Sequence, residues 1–440
     1  MSALEGRTIR LEVLGCRTNQ YEGDALAFAL SEAGARVVDA PPYDAVVLVS
    51  CTITAVADRK GRALLRRFRR ECPGAVVVLC GCQAQAMPLE EARSLGVDVL
   101  VGNRRKALLP ELLARRLVSP ARAGEMETCR GDVHQAPWDP LEMGRPVLHT
   151  RAFLKIQDGC DHGCAYCIVP SVRGGPVSRP PDEVLAEVRR IVASGCVEVV
   201  LTGVHMGLYG RGVPYSLGEL VRRLGKMEGL RRIRFGSLEP FALSEELLEE
   251  LRSVRTFCPH LHIPLQSGDD EVLRRMRRGY SASRFARQVD ALRRTFGDDV
   301  HVSTDLLVGF PGENEEAFRR TLALVTQLQL GRLHVFPYSP RPGTAAAAWP
   351  DRPSREEARE RCREGEALGK ALLSRYAARF VGREVEVLVE EGKNGTFQGL
   401  SPHFLRVRYE GVDGAEKPGT LVTVKIRSED RGVLRGGDRS

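Results

Sequence analysis

Residues 160–167 read Cys-Asp-His-Gly-Cys-Ala-Tyr-Cys. The C-x₃-C-x₂-C spacing puts three thiols on one short loop, where three thiolates can hold three corners of a [4Fe–4S] cluster. Such a cluster normally takes four cysteines, so one iron is left open, and an open metal position is where substrate or cofactor binds. The spacing differs from the C-x₂-C pairs of zinc ribbons and from the C-x₂-C-x₂-C run of bacterial ferredoxins. An open iron suits binding and reductive cleavage of S-adenosylmethionine, with the radical chemistry belonging to cluster and cofactor. The competing reading is three unrelated buried cysteines.

A second set is spread along the chain. Three apolar runs each end in a cysteine: Leu14-Gly15-Cys16, Val49-Ser50-Cys51 and Cys80-Gly81-Cys82. In an open parallel sheet the carboxyl ends of neighbouring strands border one crevice. Cys16, Cys51 and Cys82 would then converge there. Cys80 lies within its strand while Cys82 follows Gly81 into the loop, so Cys82 is the candidate ligand. Cys72, before Pro73 at a helix end, reads as an ordinary cysteine. The residues alone leave two readings open: a second three-thiolate cluster, or buried apolar cysteines.

The elements that must position these loops follow from periodicity. Residues 9–14, 45–49 and 75–79 are short apolar runs separated by helical stretches at 21–34 and 55–71, the alternation of a parallel sheet. The span 119–148 is rich in Pro, Gly and acidic residues and reads as a linker. From 149 to 379, six candidate strands (152–157, 197–202, 232–236, 261–265, 302–308, 333–337) alternate with helices. They describe a partial, open (β/α)6 barrel with chemistry at the strands' carboxyl ends. The Cys160 loop follows the first of them. Residues 380–440 alternate like half-buried strands with Gly-rich turns, which predicts a small antiparallel β-barrel of the type used to grip RNA. The expected architecture is α/β: an open parallel sheet at 1–118, the linker, the partial barrel, and the small barrel.

At 440 residues the chain exceeds one core, and 43% hydrophobic with 28% charged residues are globular values. No run approaches membrane-span length, and residues 1–10 lack a signal-peptide apolar core. A cytoplasmic location follows, where twelve cysteines serve metals or catalysis rather than disulfides. The formal charge of +8, mostly arginine, fits either a nucleic-acid partner or solvated helix faces. In the last module Arg406 and Arg408 share one strand face, and Lys425 and Arg427 are expected on opposite faces.

These motifs resemble the radical S-adenosylmethionine methylthiotransferases, which replace C–H by C–S–CH₃. The resemblance spans essentially the whole chain. It rests on Gln157-Asp158-Gly159-Cys160, Cys167-Ile168-Val169-Pro170 and Arg173-Gly174, then on 262–268 (HIPLQSG), 305–312 (DLLVGFPG) and 336–339 (FPYS) with Arg341. It implies a TRAM domain at the end and two [4Fe–4S] clusters, one on Cys160, Cys164 and Cys167, the other on Cys16, Cys51 and Cys82. Residues 14–22 and 57–60 look most like the branch acting on N6-threonylcarbamoyladenosine beside the tRNA anticodon. Sibling branches act on isopentenyladenosine in tRNA or on an aspartate of a ribosomal protein. Ser50, Gly163 and Asn314 depart from the usual pattern. The expected partners are tRNA, a reducing electron-transfer protein and a sulfur donor, with no membrane. A non-enzymatic, cluster-containing RNA-binding protein is the remaining class, and the intact C-x₃-C-x₂-C opposes it.

Polar residues at strand ends are candidates for the S-adenosylmethionine pocket. Tyr166 would meet the adenine, Thr202, Gly203, Ser237 and Glu239 the amino or ribose groups, and Gln266 the carboxylate. For each, strand-end capping is the alternative. His205 and His262 read as structural rather than as ligands.

Overall fold

The computed structural model describes residues 3–119, 125–411 and 416–437. Six parallel strands form the first sheet: β1 (Thr8–Val13), β2 (Arg36–Val37), β3 (Ala45–Ser50), β4 (Val76–Gly81), β5 (Val99–Val101) and β6 (Glu127–Cys129). Their order is β2-β1-β3-β4-β5-β6. Helices cover the sheet, so β3, Ala-Val-Val-Leu-Val-Ser, is buried at every position. The chain reverses direction across the sheet between β1 and β3. In such folds the crevice at the carboxyl ends of those two strands is the ligand site. Cys16 and Cys51 begin the loops that border it.

Among the described residues of 125–148, β6 is the one strand, and the rest runs without repeating structure. This span is nevertheless packed. Asp139 accepts from the backbone N–H of Lys106 and Ala107 at 2.9 and 3.2 Å. The ring of Trp138 lies under the Lys155 ammonium at 5.0 Å.

The central part contains β7 (Ala152–Asp158), β8 (Val177–Ser178), β9 (Glu198–Gly203), β10 (Arg232–Phe235), β11 (His260–His262), β12 (His301–Val308) and β13 (Arg332–Pro337). They form two sheets, β8-β7-β9-β10 and β11-β12-β13. A parallel bridge from Ile233 to Phe257 links β10 to the approach of β11. All pairs are parallel except β7–β8, which gives the expected open arc of six parallel strands. The helix Arg355–Ala378, opened by a Ser354/Glu357 capping box, lies along the edge strand β13.

The last five strands, β14 (Glu384–Lys393), β15 (Thr396–Leu400), β16 (Arg406–Glu410), β17 (Leu421–Asp430) and β18 (Val433–Gly436), close into a barrel. One pair, β16–β18, is parallel, so the barrel is not wholly antiparallel as read from alternation. Arg406 and Arg408 are both exposed, with Val407 and Tyr409 inward. Lys425 and Arg427 also both point outward, flanking buried Ile426. Their two-residue spacing requires a shared face, which corrects the opposite-face expectation.

This barrel is locked to the arc by a loop that carries Phe404. The ring stacks on His260 with centroids 4.6 Å apart. Four guanidiniums surround it, those of Arg17, Arg151, Arg234 and Arg332, at 5.1 to 5.8 Å from its centroid. Arg232 and Arg234 reach into the loop, donating to the carbonyls of Leu400, Ser401 and Pro402. Glu198, fully buried, pairs with Arg234 at 3.1 Å and Arg232 at 3.4 Å. Burial alone would raise its carboxyl, but the surrounding guanidiniums outweigh it and hold the group below its usual range. Glu198→Ala leaves these arginines buried without their shared anion. It is expected to cost roughly 3–5 kcal/mol in chemical denaturation, and a loss under 1 kcal/mol would contradict the arrangement.

Candidate functional site

Cys16 caps the amino end of the helix Arg17–Glu32, and Cys51 follows β3 directly. Cys82 opens the short helix Cys82–Ala86 after β4. The three therefore stand at the carboxyl ends of adjacent strands. Gly15 is what allows the first two to approach: it holds φ +126°, and a Cβ there would lie 2.5 Å from Cys51 Cβ. Cys80, by contrast, is buried inside β4 as part of the core.

The second trio lies on the loop after β7. Gly159 turns that loop with φ +73°, and a Cβ there would strike the Gly175 carbonyl at 2.0 Å. Cys160 Sγ accepts from the His162 N–H at 3.3 Å, and Cys167 Sγ from the Val169 N–H at 3.4 Å. Arg278 Nη1 reaches Cys164 Sγ at 3.4 Å. Burial pushes the Cys160 thiol up to about 11 and the Cys167 thiol to about 12. It raises Cys16 and Cys51 as well, although Cys16 also faces open space. These thiols therefore hold their protons until a cationic guest displaces them.

Both trios offer sulfur alone, the donor chemistry of an iron–sulfur cluster. Among the described residues no group of three His, Cys, Asp or Glu is gathered to hold a single metal ion.

One five-residue helix, Val169–Arg173, ties the trios together. It starts two residues after Cys167 and ends in Arg173, whose Nε donates to Cys82 Sγ at 3.1 Å. Arg173 is fully buried and grips Glu22 with both terminal nitrogens, at 3.0 and 3.1 Å. Its Nη1 also donates to Asp158 at 3.0 Å, and its Nη2 to Asn19 at 3.1 Å. Lys155 bridges Glu22 and Asp158 at 3.1 and 3.0 Å, while Lys106 meets Glu22 at 3.1 Å. Three cations face two carboxylates, and the sulfur of Cys82 is the next acceptor at hand. Burial works against ionising Glu22 and Asp158. The attraction of Arg173, Lys106 and Lys155 prevails and holds both well below the carboxylate range.

A second clasp supports the Cys51 loop. Arg341 Nη2 donates to Thr52 Oγ1 and Asp58 Oδ2, each at 2.7 Å. Thr52 itself donates to Asp58 at 2.8 Å.

A cavity of about 520 Å³ opens between the first sheet and the arc. Cys16, Arg17 and Arg173 line it together with Thr202, Gly203 and Ser237, three of the residues singled out for the cofactor pocket. Tyr166 and Glu239 lie elsewhere, around Arg278: Glu239 forms an ion pair with it, and the Tyr166 hydroxyl accepts from it at 3.4 Å. Gln266 does not line the cavity. It sits in the left-handed region, φ 70°, with its N–H donating to the Asp305 carbonyl at 2.8 Å. His205 packs against His162 and Phe241. His262 does face the cavity, paired with Asp305 at 3.1 Å and with Ser303 Oγ at 3.0 Å. Burial lowers Arg17 to about 10, helped by Arg151 and Arg234, and burial lowers His334 to about 4.

Sequence reasoning missed Arg17, Arg278, Glu22, Lys155 and Lys106. Arg278 belongs to an arginine run that looks solvent-facing, yet it is buried against Tyr280. The spacing Arg-Gly-Tyr at the run's end was the available signal.

Two family descriptions match the chain. One is the Radical SAM superfamily over residues 154–325, the other the Uncharacterized protein family UPF0004 over residues 8–102. The chain is 35% identical to the threonylcarbamoyladenosine tRNA methylthiotransferase MtaB of Bacillus subtilis (strain 168), over 95% of this chain and 93% of that protein. It is 32% identical to the protein of the same name from Thermotoga maritima, over 97% and 96%. It is 34% identical to the tRNA-2-methylthio-N(6)-dimethylallyladenosine synthase of Thermobifida fusca (strain YX), over 96% and 87%. Among solved structures, the radical S-adenosylmethionine methyltransferase TsrM from Kitasatospora setae shares the fold. It has a TM-score of 0.56 and 15% identity, over 78% of this chain and 74% of that one.

The Glu22 network sets a pH signature. A carboxyl held below its unfolded value contributes stability that is complete above the unfolded value, near 4, and is lost as pH falls toward the folded one. In the metal-free protein, Glu22→Gln should therefore be less stable than wild type at pH 7, by roughly 3–5 kcal/mol. The gap should narrow below about pH 4. Denaturant titrations at pH 7, 4 and 3 that show a constant gap would contradict the ionised network.

Proposed function

The chain belongs to the radical S-adenosylmethionine methylthiotransferases, and we propose that it places a methylthio group on C2 of N6-threonylcarbamoyladenosine beside the tRNA anticodon. The observation that carries this reading is the Val169–Arg173 helix, which starts just after Cys167, reaches Cys82 through Arg173 and lines one cavity together with Cys16. Cys160, Cys164 and Cys167 would hold one [4Fe–4S] cluster, and Cys16, Cys51 and Cys82 the other. Bound there, the clusters and S-adenosylmethionine supply reductive sulfonium cleavage, removal of the C2 hydrogen and the sulfur that replaces it.

The protein's own groups orient and shield. Thr202, Gly203 and Ser237 offer backbone and hydroxyl partners from the ends of β9 and β10 to the S-adenosylmethionine amino and ribose groups. Glu239 and Tyr166 brace Arg278 next to Cys164, which keeps the loop's sulfurs in place. Gln266 is assigned to the carboxylate end. Arg173 fixes Cys82, and the Arg341 clasp fixes the Cys51 loop, so the two trios keep one separation. The same reading divides the chain at 1–118, 119–148, 149–379 and 380–440, with β6 of the second span returning to complete the first sheet. It also calls for a reducing electron-transfer protein and a sulfur donor in the cytoplasm; among the described residues no helix is long and apolar enough to cross a membrane.

The exposed Arg406 and Arg408 support assigning the phosphate grip to the carboxyl-terminal barrel. Replacing both with Gln should weaken tRNA binding and reduce the slope of log affinity against log salt by about 2, if each meets one phosphate. An unchanged slope would move the grip elsewhere.

Anaerobically reconstituted protein should carry about eight irons, four per cluster. Changing Cys16, Cys51 and Cys82 to Ala should leave about half of that iron and 5′-deoxyadenosine formation, with no methylthio product. Loss of product in Cys80→Ala but not in Cys82→Ala would redraw the ligand set. Mass spectrometry of tRNA nucleosides from cells with and without the gene tests the substrate. The 2-methylthio form of N6-threonylcarbamoyladenosine should vanish without the gene, and its persistence would defeat the assignment.

A further inference from the structure

The cavity carries a cation, Arg17, that Asp305 attracts across the same space without closing to an ion pair on it. Arg17 lines it one residue after Cys16. Its Nη1 donates to the carbonyls of Phe235 and Gly236, which pins the guanidinium across the end of β10. Asp305, the carboxylate lining the same cavity, is paired with His262. Arg173 also faces the cavity, but Glu22 and Asp158 answer its charge. Behind Arg17, around Phe404, stand Arg151, Arg234 and Arg332. Glu198 serves the first two, and among the described residues no carboxylate lies within ion-pair reach of Arg17 or Arg332.

A guanidinium presents five N–H donors in a rigid fork. With Nη1 engaged on backbone carbonyls, the Nε–Nη2 edge remains, and that edge matches a carboxylate bidentately. N6-threonylcarbamoyladenosine bears one carboxylate, on its threonyl group; isopentenyladenosine and plain adenosine bear none. C6, which carries the substituent, and C2 are separated by a single ring nitrogen. Anchoring the substituent beside Cys16 therefore keeps C2 close to the sulfur-carrying trio.

We propose that Arg17 reads the threonyl carboxylate and so sets the preference of this site for the acidic nucleoside over neutral adenosines. This rests on the methylthiotransferase reading above. A side chain that grips a carboxylate inside a partly desolvated cavity discriminates strongly, because the analogue lacking it leaves the cation unpaired.

The test compares binding of two anticodon stem–loop RNAs to the metal-free chain, one with N6-threonylcarbamoyladenosine and one with plain adenosine. Wild type should prefer the modified loop at least tenfold. Arg17→Gln should bring that ratio close to one, and Arg17→Lys should restore part of it. In the loaded enzyme Arg17→Gln should raise KM for the modified loop more than it lowers kcat. A wild-type-like preference in Arg17→Gln overturns the proposal, and so does the absence of any preference in wild type. If Arg17→Gln fails to fold, N-carbamoylthreonine and its amide decide the matter as competitors for the wild-type chain. The acid should displace the modified loop and the amide should not; equal competition overturns the assignment. Separately, loaded wild type that forms no methylthio product on the modified loop defeats the function proposed above, whatever the binding ratio.

Discussion

The contact between Arg173 and the group made by Glu22, Asp158 and the Cys82 sulfur is what the rest of the site depends on. All of these side chains are buried, together with Lys155 and Lys106. Removing that many charges from water is expensive, and attraction offsets the cost only when every partner is in place. The contributing segments therefore cannot shift separately. The helix after Cys16, the strand before Cys160, the helix after Cys167 and the loop after β5 all end in the same buried knot. A fold that needed only stability would be served as well by apolar side chains of similar volume. What the ionic version adds is registration of one sulfur trio against the other.

That registration was only half visible in the sequence. The Cys160 trio is legible because its ligands lie within eight residues, and spacing on one loop is a local property. The other trio was legible only indirectly, as three strand ends of a parallel sheet, and the β1/β3 reversal puts those ends around one crevice. The six strands of the arc read well because each is an apolar run bounded by helical pattern. By contrast β2, β5, β6, β8 and β18 have two to four residues each, too few for any period to show.

The buried charges were invisible for a different reason. Glu22 is 133 residues from Lys155 and 151 from Arg173, and nothing local marks a helical glutamate as a partner for either. Arg17 stood within the branch-like stretch 14–22 with no role of its own, and Trp138 looked like part of a loose connection. Each acquires meaning only when the first sheet is laid against the arc. Polar residues that join domains read, one at a time, as surface.

The Phe404 ring among its four guanidiniums has a mechanical corollary. Arg17, reaching down from beside Cys16, and Phe404, reaching up from the small barrel, meet 5.5 Å apart inside the arc. The cavity and the small barrel are thus joined by a direct contact between two side chains. On the proposed reading, an RNA held by the barrel would meet the cavity at a span set by this contact.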